Sequence, residues 1–195
     1  MIETIIFDIG GVLLGAGHRD KIKKDPAFRE NERLAWKEFK VGRCSEFEYW
    51  QKVVQGTGCE DQAERMMLET RTLFQNPNKG PAYETAFKVK AAGYDLAIIS
   101  DHVAIWARPA LAALGLDKLF EPIVISEEVR MKKPDREIFE YTLGLVKRPA
   151  ERCLFIDDMD VNLKTARELG MYTILCKEKE QVEKELKELN VLISF

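Results

Sequence analysis

The spacing of apolar positions along this 195-residue chain changes from stretch to stretch, and the changes mark its elements. Thr4-Ile5-Ile6-Phe7 is a continuous β-prone run that ends on Asp8 and breaks at Gly10 and Gly11, as expected of a strand buried on both faces. Runs of the same character recur at 94–100, 122–126, 153–157 and 172–176. Between them the apolar residues take helical spacing, which predicts helices over 81–92, 103–114, 137–145, 162–169 and 178–189. Pro81 suits a first helical turn and Gly93 a helix end. In the last helix, Val182, Leu186 and Leu189 form one apolar stripe on an otherwise charged segment. Strands alternating with helices predict an α/β fold, a doubly wound parallel sheet of about five strands.

One stretch interrupts that alternation. After a loop at 15–20, a helix is expected from about Asp25, carrying Phe28, Leu34, Trp36, Phe39 and Val41. A second should open with Ser45 as N-cap and Glu48 closing a capping box, carry Phe47, Tyr49, Trp50, Val53 and Val54, and stop at Gly56-Thr57-Gly58. A third should run from Glu60 to Phe74 with Ala63, Met66, Met67, Leu68 and Leu73. Residues 15–80 therefore read as an inserted helical cap, with 1–14 and 81–195 forming the α/β core.

Composition narrows the function classes. With 46% apolar residues the chain can bury an ordinary core, and a formal net charge of −3 offers no basic excess for nucleic acid or an acidic membrane. No run approaches the ~20 apolar residues of a membrane span, and no signal peptide precedes the first strand. Cys44, Cys59, Cys153 and Cys176 form no C-x-x-C pair, two of them in core strands, which suggests reduced thiols and a cytoplasmic location. The oligomeric state is left open.

The chemistry-bearing residues fall at strand ends, where an open parallel sheet binds its ligands. Asp8 ends the first strand, Ser100 the second, Asp157 and Asp158 the fourth, and Lys133 follows the third. Two strands that bring acids together call for a cation, and a hard divalent ion such as Mg²⁺ fits oxygen ligands from Asp8 and Asp158. Asp157 and Asn162 would support those ligands. Ser100, Asp101, Lys133 and the backbone N–H groups near Gly10 and Gly11 would line an anion site.

Asp8-Ile9-Gly10-Gly11-Val12 resembles the first signature of the haloacid dehalogenase-like hydrolases. Ser100 after an apolar run, Lys133-Pro134-Asp135 ahead of Ile138-Phe139, and Phe155-Ile156-Asp157-Asp158 with Asn162 and Leu169-Gly170-Met171 follow in the family's order. The turn Gly42-Arg43-Cys44-Ser45-Glu46-Phe47 is similar to one in its helical cap type. The resemblance implies Asp8 as nucleophile, Lys133 as the charge that assists it, an aspartyl-phosphate intermediate, a further metal ligand from the Gly10 carbonyl, and a small phosphorylated metabolite as substrate. Gly10 departs from the pattern, since most phosphatases of the family have a second Asp there to protonate the leaving oxygen. His18 and His102, which follow two of the signatures, are the candidate replacement acids. Without one, good leaving groups such as sugar 1-phosphates or acyl phosphates should be favoured. A phosphatase-like protein that only binds a phosphorylated ligand or partner is the alternative; carbon–halogen hydrolysis fits less well, because it leaves the Asp157-Asp158 metal end without a use.

Overall fold

The computed structural model describes residues 1–15 and 26–191. After β1 (Thr4–Phe7) come three helices, α1 (Pro26–Phe39), α2 (Glu46–Val54) and α3 (Ala63–Gln75). The alternation then resumes: α4 (Tyr83–Ala91), β2 (Asp95–Ser100), α5 (Ala104–Ala113), β3 (Ile123–Ile125), the one-turn α6 (Ser126–Val129), α7 (Arg136–Val146), β4 (Cys153–Asp157), α8 (Asp160–Glu168), β5 (Tyr172–Leu175) and α9 (Lys179–Glu188). The five strands lie in the order β3-β2-β1-β4-β5, all parallel, so strand order reverses at β1.

Continuous apolar strands are explained by burial on both faces. Ile5 and Phe7 of β1, Leu96 and Ile98 of β2, and Leu154 and Ile156 of β4 pack on one side with Ala86, Val89, Ala107, Leu111, Val182 and Leu186. Their alternates Ile6, Ala97, Ile99, Cys153 and Phe155 pack on the other with Ile138, Phe139, Leu163 and Ala166. The stripe expected in the last helix is therefore core, with Leu189 packed at its edge.

The chain leaves the sheet after Leu14 and returns at Lys79, where the two bridge in antiparallel fashion. Gly80 makes that return possible, because a Cβ there would stand 2.3 Å from the Val12 carbonyl oxygen. The excursion carries its own apolar cluster: Phe28, Ala35, Phe39, Tyr49, Trp50, Val53, Val54 and Ala63, with Val103 and Trp106 joining from the sheet side. A buried carboxylate bridges the same layers. Glu46 accepts hydrogen bonds from Trp106 Nε1 at 2.6 Å and from Arg71 Nε at 2.8 Å.

Several expectations shift by a residue or two. The Ser45–Glu48 capping box forms in both directions, at 3.2 and 2.7 Å. The core helix expected at Pro81 begins two residues later, and the third helix opens with a 3₁₀ turn over Glu60–Gln62. Leu34, Leu68 and Leu73 are exposed rather than inward. The inner faces run through Phe28, Ala35 and Phe39 on α1, and through Ala63, Met66, Met67, Thr70 and Phe74 on α3, and a residue one position off such a row points about 100° away.

Candidate active site

Central position in the sheet makes the end of β1 the floor of the switch-point crevice. The Asp8 backbone is still held by β4, its N–H donating to Ile156 O at 2.9 Å, while the chain beyond turns back on Ile9 O through the N–H groups of Leu13 and Leu14. That turn places the Asp8 carboxylate, largely buried, at the sheet edge. Gly11 has φ +75°, and a Cβ on it would lie 2.4 Å from Asp158 Oδ2, so only glycine lets the two loops approach.

From β4 and the start of α8 comes a network around Asp157. Its Oδ1 accepts from Met159 N at 2.8 Å and Asn162 Nδ2 at 2.9 Å, and its Oδ2 from Lys133 Nζ at 2.6 Å. Asn162 also lies 3.1 Å from that Oδ2. With both oxygens engaged, Asp157 orients its neighbours. The adjacent Asp158 is exposed at the rim.

Lys133, in the loop between α6 and α7, is the one buried ammonium among these acids. Its Nζ is 2.8 Å from Asp8 Oδ1 and its backbone N–H donates to Asp101 Oδ1 at 2.7 Å. Burial alone would lower its pKa, but the charges of Asp8, Asp157 and Asp101 outweigh that and hold the ammonium above its ordinary value. Burial raises the Asp157 carboxyl despite Lys133. Partial burial, reinforced by Asp8 and Asp157, pushes Asp158 up to about 6.

Oxygen atoms of Asp8, Asp157 and Asp158 lie within 4.8 Å of one another. Asp8 Oδ1 is buried and, among the described residues, has no aligned hydrogen-bond donor, because Lys133 is near enough for an ion pair but off the bonding angle. Among the described residues, the four carboxylates here, counting Asp101, face two ammonium groups, Lys133 and Lys40, which leaves that set net negative by two. An all-oxygen donor set with an orphaned buried oxygen and that charge deficit fits a divalent hard cation such as Mg²⁺.

Placement of the other expected residues is uneven. Ser100 is buried at the end of β2, two residues past the Phe7–Ile98 pair and on the same edge as Asp8. Gly10 is exposed, and a Cβ there would meet nothing within 4 Å. The expected two-glycine phosphate cradle needs correction, because the Gly11 N–H already donates to Leu14 O at 2.9 Å. Among the described residues, the turn's own bonds leave out the N–H groups of Ile9 and Gly10. Asp101 also changes role: one oxygen takes the Lys133 N–H and the other the ammonium of Lys40 at 2.5 Å, and a carboxylate so engaged would repel a phosphate.

His102 does not stand at the acids as expected of a replacement acid. His102 is buried edge-on against Trp36, Phe74 and Trp106, with Nδ1 3.0 Å from Val103 N. His18 lies outside the described residues. Lys40 and Ser126 were missed. Each is a single polar residue at an element end, and only the contacts between distant segments reveal them.

The pattern of haloacid dehalogenase-like hydrolases matches residues 2–170. A glyceraldehyde 3-phosphate phosphatase of Methanocaldococcus jannaschii is 35% identical over 92 residues, 47% of this chain and 40% of that protein. A phosphoglycolate phosphatase of Colwellia psychrerythraea is 34% identical over 84 residues, 43% of this chain and 37% of that one. The matched part thus spans about two fifths of each of these curated relatives. Among solved structures, a HAD family enzyme from Bacteroides thetaiotaomicron in complex with magnesium and inorganic phosphate superposes with a TM-score of 0.64 at 19% identity, over 91% of this chain and 95% of that one. Since the family pattern runs through most of the chain and the parallel sheet agrees with it, the chain belongs to the haloacid dehalogenase-like hydrolases.

Proposed function

We propose that this hydrolase is a Mg²⁺-dependent phosphatase of a small phosphorylated metabolite, with Asp8 as the nucleophile. The observation that carries the reading is the Asp8 carboxylate itself: buried at the switch point, 2.8 Å from the Lys133 ammonium, and with an oxygen that no aligned donor among the described residues satisfies. The two curated relatives, named as phosphatases of three- and two-carbon phosphates, support the substrate class.

In this reading an Asp8 oxygen attacks phosphorus in line with the departing oxygen, and water then hydrolyses the aspartyl phosphate. Lys133 keeps Asp8 oriented before attack and neutralises charge on the non-bridging oxygens, helped by the Ser100 hydroxyl and the Gly10 N–H. Asp8, Asp158 and the Gly10 carbonyl would hold Mg²⁺, with Asp157 and Asn162 behind them. Bound there, the ion supplies the positive charge that lets a carboxylate approach a phosphate dianion. Residues 15–80 serve as the cap that selects the substrate.

Gly10 decides which esters react. Where a carboxylic acid would protonate the leaving oxygen there is open space, and general acid catalysis is typically worth ~10²–10⁴-fold. Acyl, aryl and anomeric phosphates should therefore react faster than simple alkyl phosphates. The same open space keeps alive a second reading, a protein that binds a phosphorylated ligand without turnover.

The test is kcat/KM for phosphate monoesters of graded leaving-group pKa, with Mg²⁺, in wild type and Gly10→Asp. Gly10 does not adopt a left-handed conformation and has room for a side chain, so the variant should fold and narrow the gap between esters. Equal rates for good and poor leaving groups in wild type would refute the Gly10 reading. Binding of inorganic phosphate without turnover of any ester would favour the second function.

A further inference from the structure

Beyond the end of β2, the core meets the segment between α1 and α2 through two polar contacts, and both converge on Lys40. Its Nζ is 2.5 Å from Asp101 Oδ2, with both side chains mostly shielded from solvent. Its carbonyl accepts from Ser126 Oγ at 2.5 Å, and that hydroxyl accepts from His102 N–H at 3.0 Å. Gly42, with φ +69°, lies so close to the Glu127 carbonyl that a Cβ would be 3.3 Å away. The turn after α1 is therefore seated firmly on the loops after β2 and β3. Asp101 carries the contact onward, since its second oxygen holds the Lys133 N–H and the Lys133 ammonium stands beside Asp8.

We propose that Lys40 is a positioning residue for phosphoryl transfer: it neutralises Asp101 so that this carboxylate holds the Lys133 backbone, tying the seating of the cap to the placement of the Lys133 ammonium. The inference rests on the assignment of Asp8 and Lys133 above. Without Lys40, Asp101 would be a shielded carboxylate with no ion-pair partner of its own among the described residues. The Lys133 ammonium already feels its charge, and any pull toward Asp101 draws that ammonium off Asp8 and Asp157.

The experiment compares wild type, Lys40→Met, Lys40→Arg, Asp101→Asn and Lys40→Met/Asp101→Asn. For each, kcat and KM on an aryl phosphate with saturating Mg²⁺, orthovanadate affinity by calorimetry and the thermal midpoint are measured. Lys40→Met should lower kcat by ~10- to 100-fold, the size of effect expected from misplacing a catalytic group, with little change in KM and weaker vanadate binding. Asp101→Asn should lose less, because an amide oxygen still accepts the Lys133 N–H. The double variant should be more active than Lys40→Met alone, since no unpaired carboxylate remains, and Lys40→Arg should restore most of kcat.

An unchanged kcat in Lys40→Met, or losses that simply add in the double variant, would overturn the proposal. So would activity that only follows the thermal midpoint, or a steeper leaving-group dependence in Lys40→Met that Asp101→Asn does not relieve, which would make Lys40 a proton donor instead. If wild type turns over no ester, the nucleophile assignment fails separately, and the vanadate comparison still decides the role of Lys40.

Discussion

Both ends of the same three central strands carry acids and bases, but the two clusters are built differently. At the amino end, Arg152 pairs with Glu3 at 2.6 Å and Arg148 with Glu3 at 2.8 Å and Asp95 at 3.4 Å. Two acids meet two arginines there, with all four side chains partly exposed although the Arg148 Nε itself is buried. At the carboxyl end, Asp8, Asp157, Asp158 and Asp101 meet, among the described residues, only Lys133 and Lys40, and Lys133 is buried. The first cluster is balanced in charge; the second, among the described residues, is unbalanced and holds a buried lysine. The difference follows from the parallel sheet, which gathers the switch-point loops at one edge only.

The sharpest way to break this contrast is at Asp8. Asp8→Asn should lower turnover by more than ~10³-fold, since an amide of the same shape is no nucleophile. Steady-state kinetics on an aryl phosphate reads this directly, and activity near that of wild type would remove Asp8 from the mechanism. Next in size is the metal end. Asp158→Asn should raise the Mg²⁺ concentration for half-activity by at least ~10-fold, while Asp160→Asn, whose carboxylate pairs with Arg167 at 2.7 Å, should leave it unchanged. Equal effects would mean that the ion is held elsewhere.

A smaller effect concerns pH. The Asp158 carboxyl is raised from 3.8 to about 6 in the folded protein, so its contribution to stability is full below the unfolded value and is lost as pH rises through about 6. A cation needs the ionised form and offsets that loss. Saturating Mg²⁺ should therefore raise the thermal midpoint more at about pH 7.5 than at about pH 5, read by calorimetry at both. An equal gain at both would contradict the assignment of Asp158 as a ligand. The smallest effect belongs to the amino end: Arg152→Ala should cost no more than ~1 kcal/mol in denaturant unfolding and leave kcat unchanged, because exposed ion pairs contribute little.

Strand positions were legible because a strand buried on both faces has no polar alternation to hide: Ile5, Ile6 and Phe7 could not all be placed any other way. The Ser45–Glu48 capping box was legible for a similar reason, since both partners lie within one turn. Leu34 misled, because apolar character on a short helix does not say which row faces inward. In the site, Asp8, Asp157 and Asp158 were visible as acids at strand ends, whereas the exchange of Asp101 from ligand to bridge was not. Its partner Lys40 is 61 residues away, and no local pattern connects a helix-end lysine to a strand-end aspartate. The Gly11 N–H failed as an expectation for the opposite reason, a bond to Leu14 too local and too conformation-specific to read from residue types.

The central claim is that Asp8 becomes phosphorylated, and Gly10 offers a direct look at it. With no carboxylic acid at position 10 to activate water, hydrolysis of the acyl phosphate should be slow relative to its formation when the leaving group is good. Acid quenching during turnover of an aryl phosphate with Mg²⁺, followed by mass spectrometry of the peptide containing Asp8, should reveal a phosphoryl adduct in wild type and none in Asp8→Asn. An adduct on any other residue, or turnover at full rate by Asp8→Asn with no adduct at all, would contradict the account.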